Sequence, residues 1–290
     1  MMQALLDTCA LLSMYSIIAI GFHLVRCVTK QYYFAYGASI VVAPATSYIL
    51  SKTIHCSVPI AIVGGICASA LVALLVYILL LQNMHQRGHA LRALLTSIAV
   101  AAAIEQCVAL AVGSEPRGLH WWQPSEGWRV ADGYLTPLQA IIIVVATMLL
   151  GVCSLIIRYT AFGLWFRAIA DDLEVARVLH VRIRRTVGVV FCWAGATGGI
   201  AGVFLGLANG LWPNMWLKPL LMGTAASVLA GSTWSVRNIV IGATVVAAAE
   251  RIVASLLPFR WQDALILLIA VAALVVRGQR RMRTEVCVIE

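Results

Sequence analysis

The stretch Ala140–Ile157 reads Ala-Ile-Ile-Ile-Val-Val-Ala-Thr-Met-Leu-Leu-Gly-Val-Cys-Ser-Leu-Ile-Ile. It holds no charged residue and no alternation of polar and apolar positions. A segment of this kind is long enough to cross a bilayer as one helix, which takes about 20 residues. Ala264–Val276 has the same character. Membrane barrels are built from alternating strands, and these runs are too continuous for that. Backbone polar groups in lipid must be satisfied inside the segment, so a bundle of helices remains.

The rest of the chain agrees. Of its 290 residues, 62% are hydrophobic and 11% charged, and the mean hydropathy is +0.93. Soluble domains are about half apolar and a quarter charged, and a soluble fold this apolar would aggregate through its surface. The sequence therefore predicts an all-α integral membrane protein, a polytopic bundle of about eight to ten transmembrane helices. The whole chain, 1–290, reads as one transmembrane domain. Spans are expected near 5–25, 33–51, 58–81, 93–113, 138–158, 187–209, 217–231, 235–257 and 261–277. The seventh is short, as a broken or re-entrant segment would be.

The net charge is +9. Its distribution points to a membrane and away from nucleic acid, because the basic residues collect in loops. Gln82–Arg92 carries Arg87 and Arg92; Tyr159–Thr186 carries Arg167, Arg177, Arg182, Arg184 and Arg185; the tail carries Arg277, Arg280, Arg281 and Arg283. With the expected spans, all three fall on one side, which the positive-inside rule makes cytoplasmic. The amino terminus then lies outside and the carboxyl terminus inside. The loop 114–137 also faces out. Its Trp121, Trp122, Trp128 and Tyr134 suit an interfacial aromatic belt, and Glu115, Glu126 and Asp132 are available to a partner. The amino terminus lacks a basic n-region, so no cleavable signal peptide is expected. The eight cysteines are scattered through apolar segments without metal-ligand spacing, and no metal site is expected.

The loop 159–186 is polar for a span yet patterned. After Gly163, Trp165, Ile169, Leu173 and Ala176 recur at three-to-four spacing, as do Val175 and Leu179, with Asp171, Asp172 and Glu174 on other sides. This predicts a cytoplasmic surface helix. From periodicity alone two readings stand: a helix that docks in a groove of a soluble partner, or one that only anchors the loop at the interface.

The residues of this loop carry a resemblance. Arg158, Tyr159, Gly163, Arg167, Ala168, Ala170, Asp171, Asp172 and Ala176 match the coupling-helix region of the branched-chain amino acid ABC permease family. Ser13, Tyr15, Ile18, Ala19 and Gly21 resemble that family's first helix. Leu138-Gln139-Ala140 resembles the helix before the coupling loop, and Ala196, Gly198, Ala201 and Gly202 the small-residue helix after it. Gly231-Ser232, Gly242 and Glu250 resemble its late Gly-Ser…Gly…Glu pattern. The resemblance covers most of the chain. It implies a permease subunit of an ABC importer in the bacterial inner membrane, for a branched-chain amino acid, amide or urea-like solute. The implied partners are cytoplasmic ABC ATPases, a second homologous permease and an extracytoplasmic solute-binding protein. Arg167, Ala168, Asp171, Asp172, Ala176 and Leu179 would then couple to the ATPase.

The chain also departs from the family. Where members carry Asn-Phe-Ala-His-Gly-Glu, this sequence has Tyr33-Phe34-Ala35-Tyr36-Gly37-Ala38, and His180 stands where they have glycine. Tyr33, Phe34, Tyr36 and Gly37 are candidate pathway residues. These changes motivate an alternative function, a degenerate homologue serving as a structural subunit of another membrane complex. A secondary carrier would show matching halves, and no such repeat is visible.

Ionisable residues inside spans are costly and are functional or paired. Glu105-Gln106 lies in the fourth expected span, facing either a polar path or a neighbouring helix. Glu250 adjoins Arg251 in the eighth; successive residues point about 100° apart, so the two need not pair. The resemblance gives Glu250 a structural or gating role. Gly195/Gly199 and Gly198/Gly202 form small-residue faces suited to close helix packing. Gly223–Gly231 is a candidate pathway element. No P-loop, HExxH or GxSxG motif is present, so neither catalysis nor a cofactor is expected here, and ATP hydrolysis would belong to a partner.

Overall fold

The computed structural model describes residues 2–53, 55–81, 90–113, 115–118, 127–130, 133–231 and 234–256. The ninth expected span, the basic tail, most of the loop Gln82–Arg92 and Trp121, Trp122, Glu126 and Asp132 lie outside these residues.

The described chain is helical apart from a short antiparallel ribbon. In order it runs α1 (Met2–Thr29), α2 (Tyr36–Thr53), α3 (Val58–Val76, closing in a wider π turn Tyr77–Leu81) and α4 (Ala90–Val112). The ribbon β1 (Trp128–Val130) and β2 (Gly133–Leu135) follows, with Arg129 opposite Tyr134. Then come α5 (Pro137–Tyr159), α6 (Ala161–Asp171), α7 (Leu173–Val178), α8 (Ile183–Asn209), a 3₁₀ turn Pro213–Trp216, α9 (Leu217–Ala230) and α10 (Val236–Leu256).

Five helical stretches among the described residues are long and apolar enough to cross a membrane: Leu5–Thr29, Val58–Leu79, Arg92–Val112, Pro137–Tyr159 and Ile183–Asn209. The expected spans at 33–51, 217–231 and 235–257 are met by α2, α9 and α10. α2 holds Pro44 and Lys52, α9 has only 14 residues, and α10 carries Arg237, Glu250 and Arg251. The short seventh segment is thus a short helix behind a 3₁₀ turn, buried along most of its length.

Burial sorts the helices into a centre and a rim. The most apolar windows of α1 and α8 are 72% and 67% buried, against 17% in α4 and 22% in α5. α2 and α9 pack against this central pair; α3, α4, α5 and α10 lie outside them. The two most apolar of these stretches, in α3 and α5, are only 33% and 22% buried. The rim helix α5 has hydropathy 2.9 and the central α8 only 1.7. Lipid rewards apolar side chains, whereas the interior is closed by small residues and internal hydrogen bonds.

The α2–α3–α8 contact shows how. Pro44 has no N–H to give the Ile40 carbonyl one turn back. Gly202 of α8 lies directly over that carbonyl: a Cβ there would strike the Ile40 oxygen and sit 2.7 Å from its carbon. Ser69 of α3 donates to the carbonyls of Ser39 (3.0 Å) and Gly195 (2.7 Å), tying all three helices together. The small-residue faces expected on α8 are observed, with Gly195 against α3 and Gly198 and Gly202 against α2.

α5 starts where the sequence Thr-Pro-Leu-Gln sets a capping box. Thr136 Oγ1 accepts from the Gln139 amide (3.3 Å), and Gln139 Oε1 accepts from the Thr136 amide (3.1 Å). Pro137 fits the first helical position, where no donor is needed.

Candidate functional site: a surface helical segment and the polar groups inside the bundle

The loop after α5 forms a surface helix as its periodicity predicts, but the helix breaks. α6 ends at Asp171. Asp172 leaves the helical region (φ −145°, ψ 118°) and its Oδ1 accepts from the amides of Glu174 (2.8 Å) and Val175 (3.3 Å), capping α7. An apolar spacing can continue across such a break because both short helices lie on one support. Their inner face is Phe166, Ile169, Ala170 and Ala176, all buried. Their outer face is apolar as well: Leu164, Trp165, Val175, Val178 and Leu179 are exposed, Val178 to 76%. Arg167, Asp171 and Asp172 are exposed beside them, and Ala168 is half-buried. Of the six expected coupling residues, Ala176 alone is fully enclosed by the bundle.

α7 closes in a Schellman motif. The Val181 amide donates to Ala176 O (3.1 Å) and the His180 amide to Arg177 O (3.1 Å). His180 has φ 56°, the left-handed region. Glycine adopts this conformation freely, so His180 keeps the turn and carries the strain.

The segment Tyr33–Ala38 lies inside the bundle. Tyr33 and Tyr36 are 4% and 0% exposed. Tyr33 meets Phe191 edge-on (4.9 Å), Phe191 stacks on Tyr77 (4.7 Å), and Phe22 meets Tyr36 edge-on (6.2 Å). Tyr36 Oη is 3.5 Å from Thr197 Oγ1, a long contact, and Tyr33 Oη has no hydrogen-bond partner among the described residues. Tyr33 borders a cleft of about 20 Å³ with Thr29, Gln31 and Tyr77, room for about one water. The Phe34 amide donates to Ser97 Oγ (3.2 Å) on α4. The aromatic replacements thus fill the interior and leave two phenols facing it.

Glu105 faces a neighbour. The Trp216 indole donates to Glu105 Oε2 (3.0 Å), and the same indole lies over Gly37, where a Cβ would come within 2.7 Å of the ring. Glu105, Trp216 and Gly37 form one unit across α4, the 3₁₀ turn and α2. Gln106 points outward and does not join it.

Glu250 is buried and accepts from the Tyr15 hydroxyl while pairing with Lys218 (3.2 Å). Arg251 turns elsewhere, to Asp7 (2.8 Å), which also accepts from Gln139 (3.1 Å). Adjacent charges on α10 therefore serve different neighbours. Tyr15 and Glu250, 235 residues apart in the chain, are in contact.

A third polar group was not singled out from sequence. His23 is completely buried in α1 and lies 3.1 Å from Ser227 Oγ of α9. Arg26 Nη2 donates to the carbonyls of Ser227 (2.7 Å) and Gly231 and lies 3.3 Å from His23 Nδ1. The signal was present, since ionisable residues within a span mark paired or functional positions. No group of His, Cys, Asp or Glu suited to a metal occurs among the described residues.

The chain as a whole is similar to known proteins. The family model for the branched-chain amino acid transport system permease component matches residues 4–274. The high-affinity branched-chain amino acid transport system permease protein LivH of Escherichia coli K12 is 24% identical over 275 residues, covering 90% of this chain and 89% of the relative. LivH of Salmonella typhimurium matches at 24% over 276 residues. BraD of Pseudomonas aeruginosa, a permease of the same description, is 22% identical over 275 residues. The autoinducer 2 import permease LsrC of Yersinia enterocolitica is 28% identical over 145 residues, 48% of this chain. The central helices, the surface segment and the Tyr15–Glu250 contact fall within one continuous match, and the chain belongs to the family of branched-chain amino acid transport system permease components.

Proposed function

We propose that this chain is the membrane-spanning permease of an ABC importer for a branched-chain amino acid or a similarly small polar solute, an amide or urea-like compound included. It works with a second permease, cytoplasmic ATPases and an extracytoplasmic binding protein in a bacterial inner membrane. The amino terminus faces out and the carboxyl terminus the cytoplasm. The observation that carries the reading is the two-sided segment α6–α7. Its inner face is locked into the bundle through Phe166, Ile169, Ala170 and Ala176, and its outer face offers Leu164, Trp165, Val178 and Leu179 beside Arg167 and Asp171.

A soluble motor that grips the outer face moves the inner face as one body, which suits alternating access. Tyr33, Phe34, Tyr36, Gly37 and Glu105 lie along or beside the solute path, with Gln106 at its outer margin. Their aromatic character favours a solute with an apolar side chain. Glu250, bonded to Tyr15 of α1 and Lys218 of α9, has a structural or gating role.

The test is purification of the tagged protein in mild detergent, with identification of its companions, followed by uptake of labelled leucine in vesicles. An ATPase and a second permease in comparable amounts are expected. Asp171→Arg should remove the ATPase and lower uptake at least tenfold. Asp172→Asn, which retains a capping oxygen, should change neither. A stable complex without any ATPase, or full uptake by Asp171→Arg, would overturn the proposal.

A further inference from the structure

We infer that Trp234 is the linking element that carries movement of α6 to α1 and the short interior helix α9, with Lys30 as a second tie. The inference rests on the reading of α6–α7 as the coupling segment.

Trp234 lies in the connection between α9 and α10 and belongs to neither. Phe166, on the inner face of α6 and 0% exposed, meets its ring edge-on (5.8 Å, 83°). On the other side His23 of α1 lies 5.8 Å from the same ring. His23 continues to Ser227 Oγ (3.1 Å), and Arg26 holds the carbonyls of Ser227 and Gly231 at the end of α9. A chain of side-chain contacts therefore runs from α6 through Trp234 to α1 and the last turn of α9. Lys30, at the end of α1, separately donates to Ala170 O in the last turn of α6. A cation there also suits the negative end of the helix.

Three features make this a link and not generic packing. First, α6 packs directly on α1 and α8, whereas α9 packs chiefly on α1 and α10, so among the described residues Trp234 offers a side-chain route from α6 towards the end of α9. Second, the contacts on the α1–α9 side are polar and directional, and close-packed groups of this kind shift between discrete arrangements more readily than they deform. Third, α9 is the element behind the 3₁₀ turn that bears Trp216, which reaches Glu105 and Gly37. Displacing the end of α9 therefore moves the turn beside the interior aromatic segment.

The experiment uses the complete transporter in liposomes, measuring ATP hydrolysis and solute uptake in the same vesicles. In Trp234→Ala, the ATPase should remain bound in wild-type amount and hydrolysis should stay within twofold, while uptake per ATP falls at least tenfold. Trp234→Phe retains an aromatic ring and should recover at least half of the wild-type ratio. Lys30→Gln, at an exposed helix end, should lower the ratio about threefold, and it carries the test if Trp234→Ala does not insert and fold. Equal loss of hydrolysis and uptake in Trp234→Ala, loss of the bound ATPase, or an unchanged ratio in Lys30→Gln would overturn the inference. A wild-type complex with no ATPase would instead overturn the coupling reading itself, and the inference with it.

Discussion

The contact between Trp216 and Glu105 yields a prediction that separates a packing anchor from a charge in the solute path. Trp216 is 8% exposed, and its indole can only donate. Glu105→Leu leaves that buried N–H without its 3.0 Å acceptor, at a cost of about 2–3 kcal/mol for a lost bond to a charged group. Glu105→Gln keeps an acceptor and loses only the charge assistance, about 1 kcal/mol. With roughly 2–4 °C per kcal/mol for a chain of this order of size, the melting temperature in detergent should fall by about 4–12 °C for Leu and about 2–4 °C for Gln. Adding Trp216→Phe to Glu105→Leu should cost less than the sum of the two single changes by about 2 kcal/mol, because the stranded donor is gone. Uptake supplies the second reading. A charge that contacts solute makes Glu105→Gln transport-defective at wild-type stability, whereas an anchor leaves uptake within twofold. Equal destabilisation by Gln and Leu, with strict additivity in the cycle, would refute the assignment of the hydrogen bond.

Gly202→Ala should destabilise the bundle by about 1–3 kcal/mol, since the new methyl meets the α2 backbone, which cannot rotate away; thermal unfolding in detergent reads this, and Gly151→Ala, with nothing near its Cβ, is the control. His180→Gly should relieve left-handed strain of about 1 kcal/mol, seen as about fivefold slower hydrogen exchange at the amides of His180 and Val181, which close the turn.

What the sequence disclosed follows from what periodicity and hydropathy can report. The rim helices stand out because lipid demands long apolar runs, and Pro137–Tyr159 is recognisable on that ground alone. The central helices are harder to read, because their burial rests on glycines, serines and a proline whose partners lie far along the chain. The expected span 33–51 begins a few residues before α2 does, since Tyr33 and Phe34 precede the helix yet are as apolar as it is. Glu105 and Glu250 were legible as exceptional, but which neighbour each would meet was not. The break at Asp172 had a local signature, an aspartate followed by Glu174 in the next turn, that the continuing apolar spacing concealed. The left-handed turn at His180 left no trace in its own residue type and could be sensed only as a departure from related permeases.

The placement of α1 has a consequence for how the protein is made. Of the described helices it leaves the ribosome first, and it becomes the most enclosed of the candidate spans. The groups that receive its His23 and Arg26 come 201 to 205 residues later. At roughly 5–20 residues per second of synthesis, that is about 10–40 s during which a polar helix sits in the membrane before its partners exist. Arg26 lies in the last turn of α1, where a long side chain can reach the headgroups, while His23 waits a turn deeper. α1 thus becomes settled only when the short interior helix arrives, and truncation before residue 217 would leave the earlier spans inserted but their centre unassembled.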